Sequence, residues 1–389
     1  MTSTSAARRT YQGPALFSYG FRPFFFFGAV WSALVVPLWL ASFFHGGALT
    51  REWHIHEMIF GFLGAVIAGF LTTAVPNWTG RMPVIGAPLG GLAGLWLVGR
   101  LAMLLQEALG PVASVIDCAF LLVFAAVIWR EVLAGRNWRN LPVCGLVTLF
   151  ALANVASHLP FGPALDVAVR LALGAAALLI ALIGGRIVPS FTRNWMKARR
   201  LAPEPALFGV VDRIALGLTA VGASFWVAAP QAPATGVALT LAGAAHLLRL
   251  GRWRGWRAVA EPLVWILHLG YLWLGAGLLL LGVAVLDPGL IPRTAGVHAL
   301  TAGAIGVMTL AVMTRATRGH TGRPLSAGTA TTAIYLAVNA AALLRVAAPF
   351  TGSQQPLVLS VSGLVWSMAF AGFAVTYGRM LLWPRPSAA

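Results

Sequence analysis

Residues 51–78 read REWHIHEMIFGFLGAVIAGFLTTAVPNW. Beyond His54, His56 and Glu57 the text is almost unbroken apolar sequence to Pro76, enough for a helix to cross a hydrocarbon core about 30 Å thick. Three ionisable groups thus stand at the lip of a segment made for lipid. What holds them there decides what the chain can do.

The rest of the chain obeys the same solvent. Of 389 residues, 59% are hydrophobic and 10% charged, with a mean hydropathy of +0.83, whereas soluble domains carry about a quarter charged residues. Apolar runs predict twelve spans, at 24–44, 53–75, 87–106, 111–134, 141–158, 164–188, 207–229, 233–250, 261–285, 293–314, 327–347 and 357–380. The loops between them are short and rich in Gly, Pro and Arg. The expected fold is an all-α polytopic membrane protein: a cytoplasmic N-terminal segment 1–23, a single twelve-helix membrane domain 24–383 and a cytoplasmic tail 384–389.

A net charge of +17 invites a nucleic-acid reading, but its distribution argues against it. With the N-terminus inside, most of the 27 basic residues fall in inner segments, among them Arg8, Arg9, Arg22, Arg81, the run from Arg193 to Arg200, the run from Arg249 to Arg257, and Arg385. That is the positive-inside pattern of a membrane protein with both termini in the cytoplasm. No signal-peptide core precedes the first span, so no processing is expected. Cys118 and Cys144 form neither a disulfide framework nor a CxxC metal motif.

Three even-numbered spans close on related text: TTAVPNWTGR at 72–81, GRIVPSFTRNW at 185–195 and TLAVMTRATRGHTGR at 309–323. The echo recurs every four spans and marks a candidate three-by-four repeat. The catalytic subunit of haem-copper oxidases uses the same plan, a likeness at the level of fold alone.

Ionisable side chains in spans are costly, face the protein interior and bind ligands or relay protons. The eight histidines sort by depth. His54, His56, His158 and His298 fall at or near outer span ends, His246 and His268 towards the inner side, and His320 in an inner loop. His54, Glu57, Gly61, Gly64, Ala68 and Thr72 recur at steps of three and four, one stripe of a helix. His56 points away from His54 in a regular helix, so the pair shares one site only through an irregular first turn. In span nine His268, Tyr271 and Gly275 share a stripe, and in span ten His298, Thr301, Ile305 and Met308. His45, His158 and His320 read as interfacial hydrogen-bonding residues; His54, His56, His268 and His298 read as ligands, imidazole being a good donor to haem iron and copper. Glu57 is either a proton carrier or the partner that orients an imidazole. Arg22 reads as an interfacial anchor.

With these residues in view, the chain resembles the NnrS family of bacterial membrane proteins over nearly its whole length. The matching text is GFRPFFFFGA at 20–29, residues 53–81, LWLVGRLA at 95–102, LHLGYLWLGAGLLL at 267–280 and HALTAGAIGVMTLAVMTRATRGHTGRPL at 298–325. The resemblance implies a haem- and copper-containing protein of the bacterial inner membrane, tied to denitrification and nitrosative stress. Its motif histidines fall on His54, His56, His268, His298 and His320.

The resulting expectation is a redox protein that handles nitric oxide, reducing it to nitrous oxide with electrons from a quinol or cytochrome. His54, His56 and His298 form a metal site with Glu57 as its catalytic carboxylate, and His268 ligates haem. His298 is thus counted both as a metal ligand and as a cofactor-binding residue, and His268 likewise. Two other readings stay open: a non-catalytic haem or copper sensor or carrier, and a twelve-helix transporter, against which Asp117 is the one acidic residue deep enough to couple ions besides Glu57.

Overall fold

The computed structural model describes residues 11–160 and 162–384. Twelve helices there are long and apolar enough to cross a membrane: α1 (Phe21–His45), α2 (Arg51–Thr79), α3 (Ala87–Leu104), α4 (Pro111–Ala134), α5 (Trp138–Ser157), α6 (Ala164–Ala198), α7 (Val210–Ala228), α8 (Pro233–Gly251), α9 (Pro262–Leu286), α10 (Arg293–His320), α11 (Thr329–Phe350) and α12 (Gly352–Leu382). No strand occurs among the described residues. The chain is an all-α, multi-pass membrane protein, with one helix for each predicted span. Arg8, Arg9 and Arg385, and nearly all of the tail 384–389, lie outside the described residues.

Local chemistry sets the helix ends. Gly46 and Gly80 close α1 and α2 in left-handed conformation, at φ of 71° and 70°, which a side chain would resist. Proline stands in the first turn of α3, α4, α8 and α9, where its missing N–H has no helical acceptor to lose. Two compact units form: Met1–Ala172 with Met313–Pro324 and Phe373–Ala389, and Leu173–Val312 with Leu325–Gly372.

Helices α2, α6 and α10 differ from the rest. Their apolar windows are 78%, 61% and 78% buried, and no other exceeds 56%, so these three are the helices most enclosed by protein. They also run past the apolar text that predicted them, to Thr79, Ala198 and His320. In these polar ends threonine hydroxyls bond back one turn rather than to another element: Thr79 to the Val75 carbonyl at 2.9 Å, Thr192 to Val188 at 2.8 Å and Thr317 to Met313 at 2.7 Å.

Each of the three also contains a π-helical turn, at Glu57–Leu63, Ile180–Gly184 and Ala299–Ile305. These are the spans whose ends echo one another in sequence. Side chains add a second donor to carbonyls within two of these turns, beside the backbone N–H each already accepts. The Trp96 indole donates to the Gly61 carbonyl at 3.0 Å, and Arg249 donates to that of Ala181 at 2.8 Å. Glycine then admits large neighbours beside the turn: a Cβ at Gly303 would stand 2.5 Å from the Trp273 ring.

Candidate functional site

Within the first unit, the π turn of α2 opens on a buried group of charges. Glu57 and Asp117 are fully buried, and Arg100, 1% exposed, lies between them. The Arg100 guanidinium donates to Glu57 Oε1 at 2.6 Å and, through Nη2, to Asp117 Oδ1. Trp31 donates to Glu57 Oε2 at 2.8 Å. Gly61 makes room: a Cβ there would meet Arg100 Nη1 at 2.7 Å and Glu57 Oε2 at 2.8 Å. Gly99 lies where α3 meets α4, and a Cβ there would be in ordinary contact with the Asp117 Cα at 3.5 Å.

His56 lies across both carboxylates. Its Nδ1–H donates to Glu57 Oε1 at 3.0 Å, and Nε2 stands 3.1 Å from Asp117 Oδ2 and 3.0 Å from Asn154 Oδ1. Every partner of the ring is an acceptor, so in this arrangement it donates at both nitrogens. The cation that results, with Arg100, balances Glu57 and Asp117. His158, at the end of α5, presents Nε2 to the same Asp117 Oδ2 at 3.0 Å, and Asn154 Nδ2 donates to it at 2.9 Å. Three N–H donors therefore converge on one oxygen. One ligand atom each from His56, Asp117 and His158 lies within 4.8 Å of the other two, close enough for one metal ion.

His54 leaves this group. Its ring stacks on Trp39 at 4.2 Å, in the apolar cluster built on Val35, Trp39, Leu40 and Trp53, which Met58 also touches. Of the two outcomes foreseen for the HxH pair, the helix takes the one with two surroundings: the π turn begins after His56, and the turn carrying both rings is regular α-helix. His320 packs edge-on to Tyr19 at 5.1 Å and on Phe21 at 5.6 Å. His45 is exposed at the end of α1. Arg22 is buried and donates to the Leu381 and Trp383 carbonyls at 3.0 and 3.1 Å, closing the last turn of α12.

The second unit holds its own polar network. Thr192 gives its proton to the Val188 carbonyl, so its oxygen accepts from His268 Nε2–H at 2.8 Å. The Nδ1 side of His268 is closed by Gly255, whose added Cβ would overlap the ring. Thr219 likewise accepts from His246 Nε2–H at 2.7 Å, and Tyr271 donates to His246 Nδ1 at 2.8 Å. Arg249 donates to the Tyr271 oxygen at 2.6 Å and to Asp212 at 2.6 Å. His298 donates Nδ1–H to the Thr294 carbonyl at 2.7 Å.

His268 and His298 belong to different levels of this unit. Gly270 packs on Met308, Gly277 on Leu300 and Gly296 on Leu281, so α9 and α10 run antiparallel. His298 is level with a point on α9 about ten residues from His268, roughly 15 Å at 1.5 Å per residue. The two rings do not share one metal.

The sequence points to His56 and Glu57 as candidate site residues but not to the partners the fold gives them. Read in one dimension, Asp117 is a deep acidic residue and His158 an interfacial one. Arg100 and Asn154 carried no assigned role. The available signal was charge: a carboxylate and a guanidinium in neighbouring apolar helices must find each other.

The sequence profile described as NnrS protein matches residues 15–385. No curated protein matches the chain.

Proposed function

The chain belongs to the NnrS protein family, and on that premise we propose that this membrane protein, linked to the nitric oxide response, acts on nitric oxide at the buried centre of His56, Asp117 and His158. The proposed reaction joins two molecules of nitric oxide with two electrons and two protons to give nitrous oxide and water. A quinol or cytochrome supplies the electrons, and the bacterial inner membrane is the location. One observation carries the reading: two imidazoles and a carboxylate from α2, α4 and the end of α5 converge within 4.8 Å of one another, His56 and Asp117 buried and His158 partly so. Nitric oxide, small and nearly apolar, reaches such a centre through lipid.

The residues present fit a metal ion at this centre. When bound, the ion supplies the coordination and electron exchange that side chains lack. Glu57 fixes the His56 ring from behind, as a carboxylate does in metal sites generally. Three donors from His56, Arg100 and Trp31 already point at Glu57, so its role is orientation rather than proton carriage. Arg100 holds the second Asp117 oxygen, leaving Oδ2 to the ion.

The haem and copper that the resemblance implies distribute unevenly over the expected ligands. His298 has Nδ1–H on the Thr294 carbonyl, the kind of outer hydrogen bond that orients an imidazole, and would be the residue to hold a haem. His268 has its Nε2 on Thr192 and its other nitrogen against Gly255, which leaves no face for a haem. We therefore assign haem to His298 and not to His268. His54, beside Trp39 and Met58, belongs to different surroundings from His56 and is left out of the nitric oxide centre.

The test is turnover. Purified protein given nitric oxide and a steady electron supply should release nitrous oxide, and the His158→Ala variant should not. Stoichiometric binding without nitrous oxide would replace the reductase by a sensor. Full cellular protection by a metal-free preparation would favour transport, although Glu57 and Asp117 are both tied to Arg100 and offer no spare carboxylate for ion coupling.

A further inference from the structure

Resting on that reading, we propose that the ion at the centre is ferrous iron, held on one face by Nε2 of His56, Nε2 of His158 and Oδ2 of Asp117, with its remaining positions open to nitric oxide. The donor set is the first reason. It offers two imidazole nitrogens and one carboxylate oxygen and no sulfur, a set that disfavours cuprous copper and matches the two-histidine, one-carboxylate arrangement of non-haem iron.

Convergence is the second reason. Asp117 Oδ2 stands 3.1 Å from His56 Nε2 and 3.0 Å from His158 Nε2 as their hydrogen-bond partner, and one ligand atom from each of the three residues lies within 4.8 Å of the other two. An entering ion would take the place of the two Nε2 protons, which are released on binding. Arg100, by occupying Oδ1, keeps the carboxylate from chelating, so three protein donors leave an iron ion with open positions. Zinc closes its shell at four donors and does not bind nitric oxide through electron exchange.

Asn154 marks the place of the ion. Its amide oxygen lies 3.0 Å from His56 Nε2 while its nitrogen donates to Asp117 Oδ2 at 2.9 Å, so the amide bridges the two atoms that iron would join. An entering ion displaces this bridge and leaves the Asn154 N–H facing the open positions, where a bound nitrogen oxide would accept it.

The experiment uses the full chain in detergent, depleted of metal, reloaded anaerobically with ferrous ion and then exposed to nitric oxide. The expected result is a stoichiometric non-haem iron and a spin-quartet nitrosyl EPR signal, distinct from the doublet of a haem nitrosyl. Both should vanish in His158→Ala, with His158→Gln as a second variant should the first fold poorly. His158 sits at a helix end and is partly exposed, so its change leaves the helices standing. If copper or zinc fills the site in a His158-dependent way and no quartet forms, the iron assignment is overturned while the metal centre survives. If no metal depends on His158, both fall.

Discussion

His56 and His158 come from helices a hundred residues apart in sequence, yet their ring centroids lie 5.0 Å apart and both present Nε2 to one oxygen of Asp117. The ring of His56 is gripped from behind by Glu57, while Asp117 is gripped from behind by Arg100. The same guanidinium joins the two grips, so position and charge are set together.

Arg100 should therefore matter more than any single ligand for folding. Its removal leaves two carboxylates in a sealed volume facing one imidazolium, and breaking a buried pair in this way costs about 3–5 kcal/mol. Arg100→Met should lower the thermal unfolding temperature in detergent markedly. Adding Glu57→Gln to the same chain should recover part of the loss by removing one of the stranded charges. A double variant no more stable than Arg100→Met alone would show that Glu57 and Arg100 are not energetically coupled.

Glycine 61 gives a steric counterpart. Ala at this position is a better helix former than Gly by about 1 kcal/mol, but its methyl would press on Arg100 at 2.7 Å and Glu57 at 2.8 Å, both pinned by their own bonds. Overpacking of this kind costs about 1–3 kcal/mol. Gly61→Ala should thus destabilise the protein and lower its metal content. Gly64→Ala, one turn on, meets Leu121, Phe150 and Phe120 at 3.4–3.9 Å, ordinary contact distances, and should leave both unchanged. Equal effects at the two positions would remove the special role of Gly61.

What sequence could show follows from this contrast. Twelve helices were legible because hydrophobic period and length determine them, and Glu57 was legible because it stands beside a histidine in an apolar run. The π turns were not, since the contacts beside them are tertiary: Trp96 and Arg249 reach the Gly61 and Ala181 carbonyls from other helices, which linear spacing does not show. His158 looked interfacial because its partner Asp117 lies two helices back, and one-dimensional spacing says nothing of which helices meet. The textual echo at the ends of α2, α6 and α10 fell on the three helices that share the π irregularity, although nothing in the echo announced it.

In the second unit, Tyr271 is the hinge of a separate network. Its hydroxyl accepts from Arg249 and donates to His246. Tyr271→Phe leaves a buried guanidinium short of one acceptor and His246 Nδ1 short of its donor, at about 1–3 kcal/mol. The variant should lose thermal stability while retaining the metal bound through His158, since no bond of this network involves His56, Asp117 or His158. Loss of that metal in Tyr271→Phe would mean that the two networks are coupled.

The HxH pair supplies the sharpest separation. His56→Ala removes an imidazole that bonds Glu57 and reaches Asp117 and Asn154, so it should abolish the metal that His158 also holds. His54→Ala removes a ring stacked on Trp39 and should leave that metal in place, with at most a modest loss of stability from the vacated packing. His268→Ala should keep any haem absorption band, and His298→Ala should lose it, because Thr192 and Gly255 enclose both nitrogens of His268 whereas His298 has its Nδ1–H oriented by the Thr294 carbonyl. Metal analysis and absorption spectra of these four single variants decide the matter. A chain that keeps its metal in His56→Ala but loses it in His54→Ala would move the centre from Asp117 to the Trp39 side of the helix, and the Glu57 to Arg100 grip would then be structural alone.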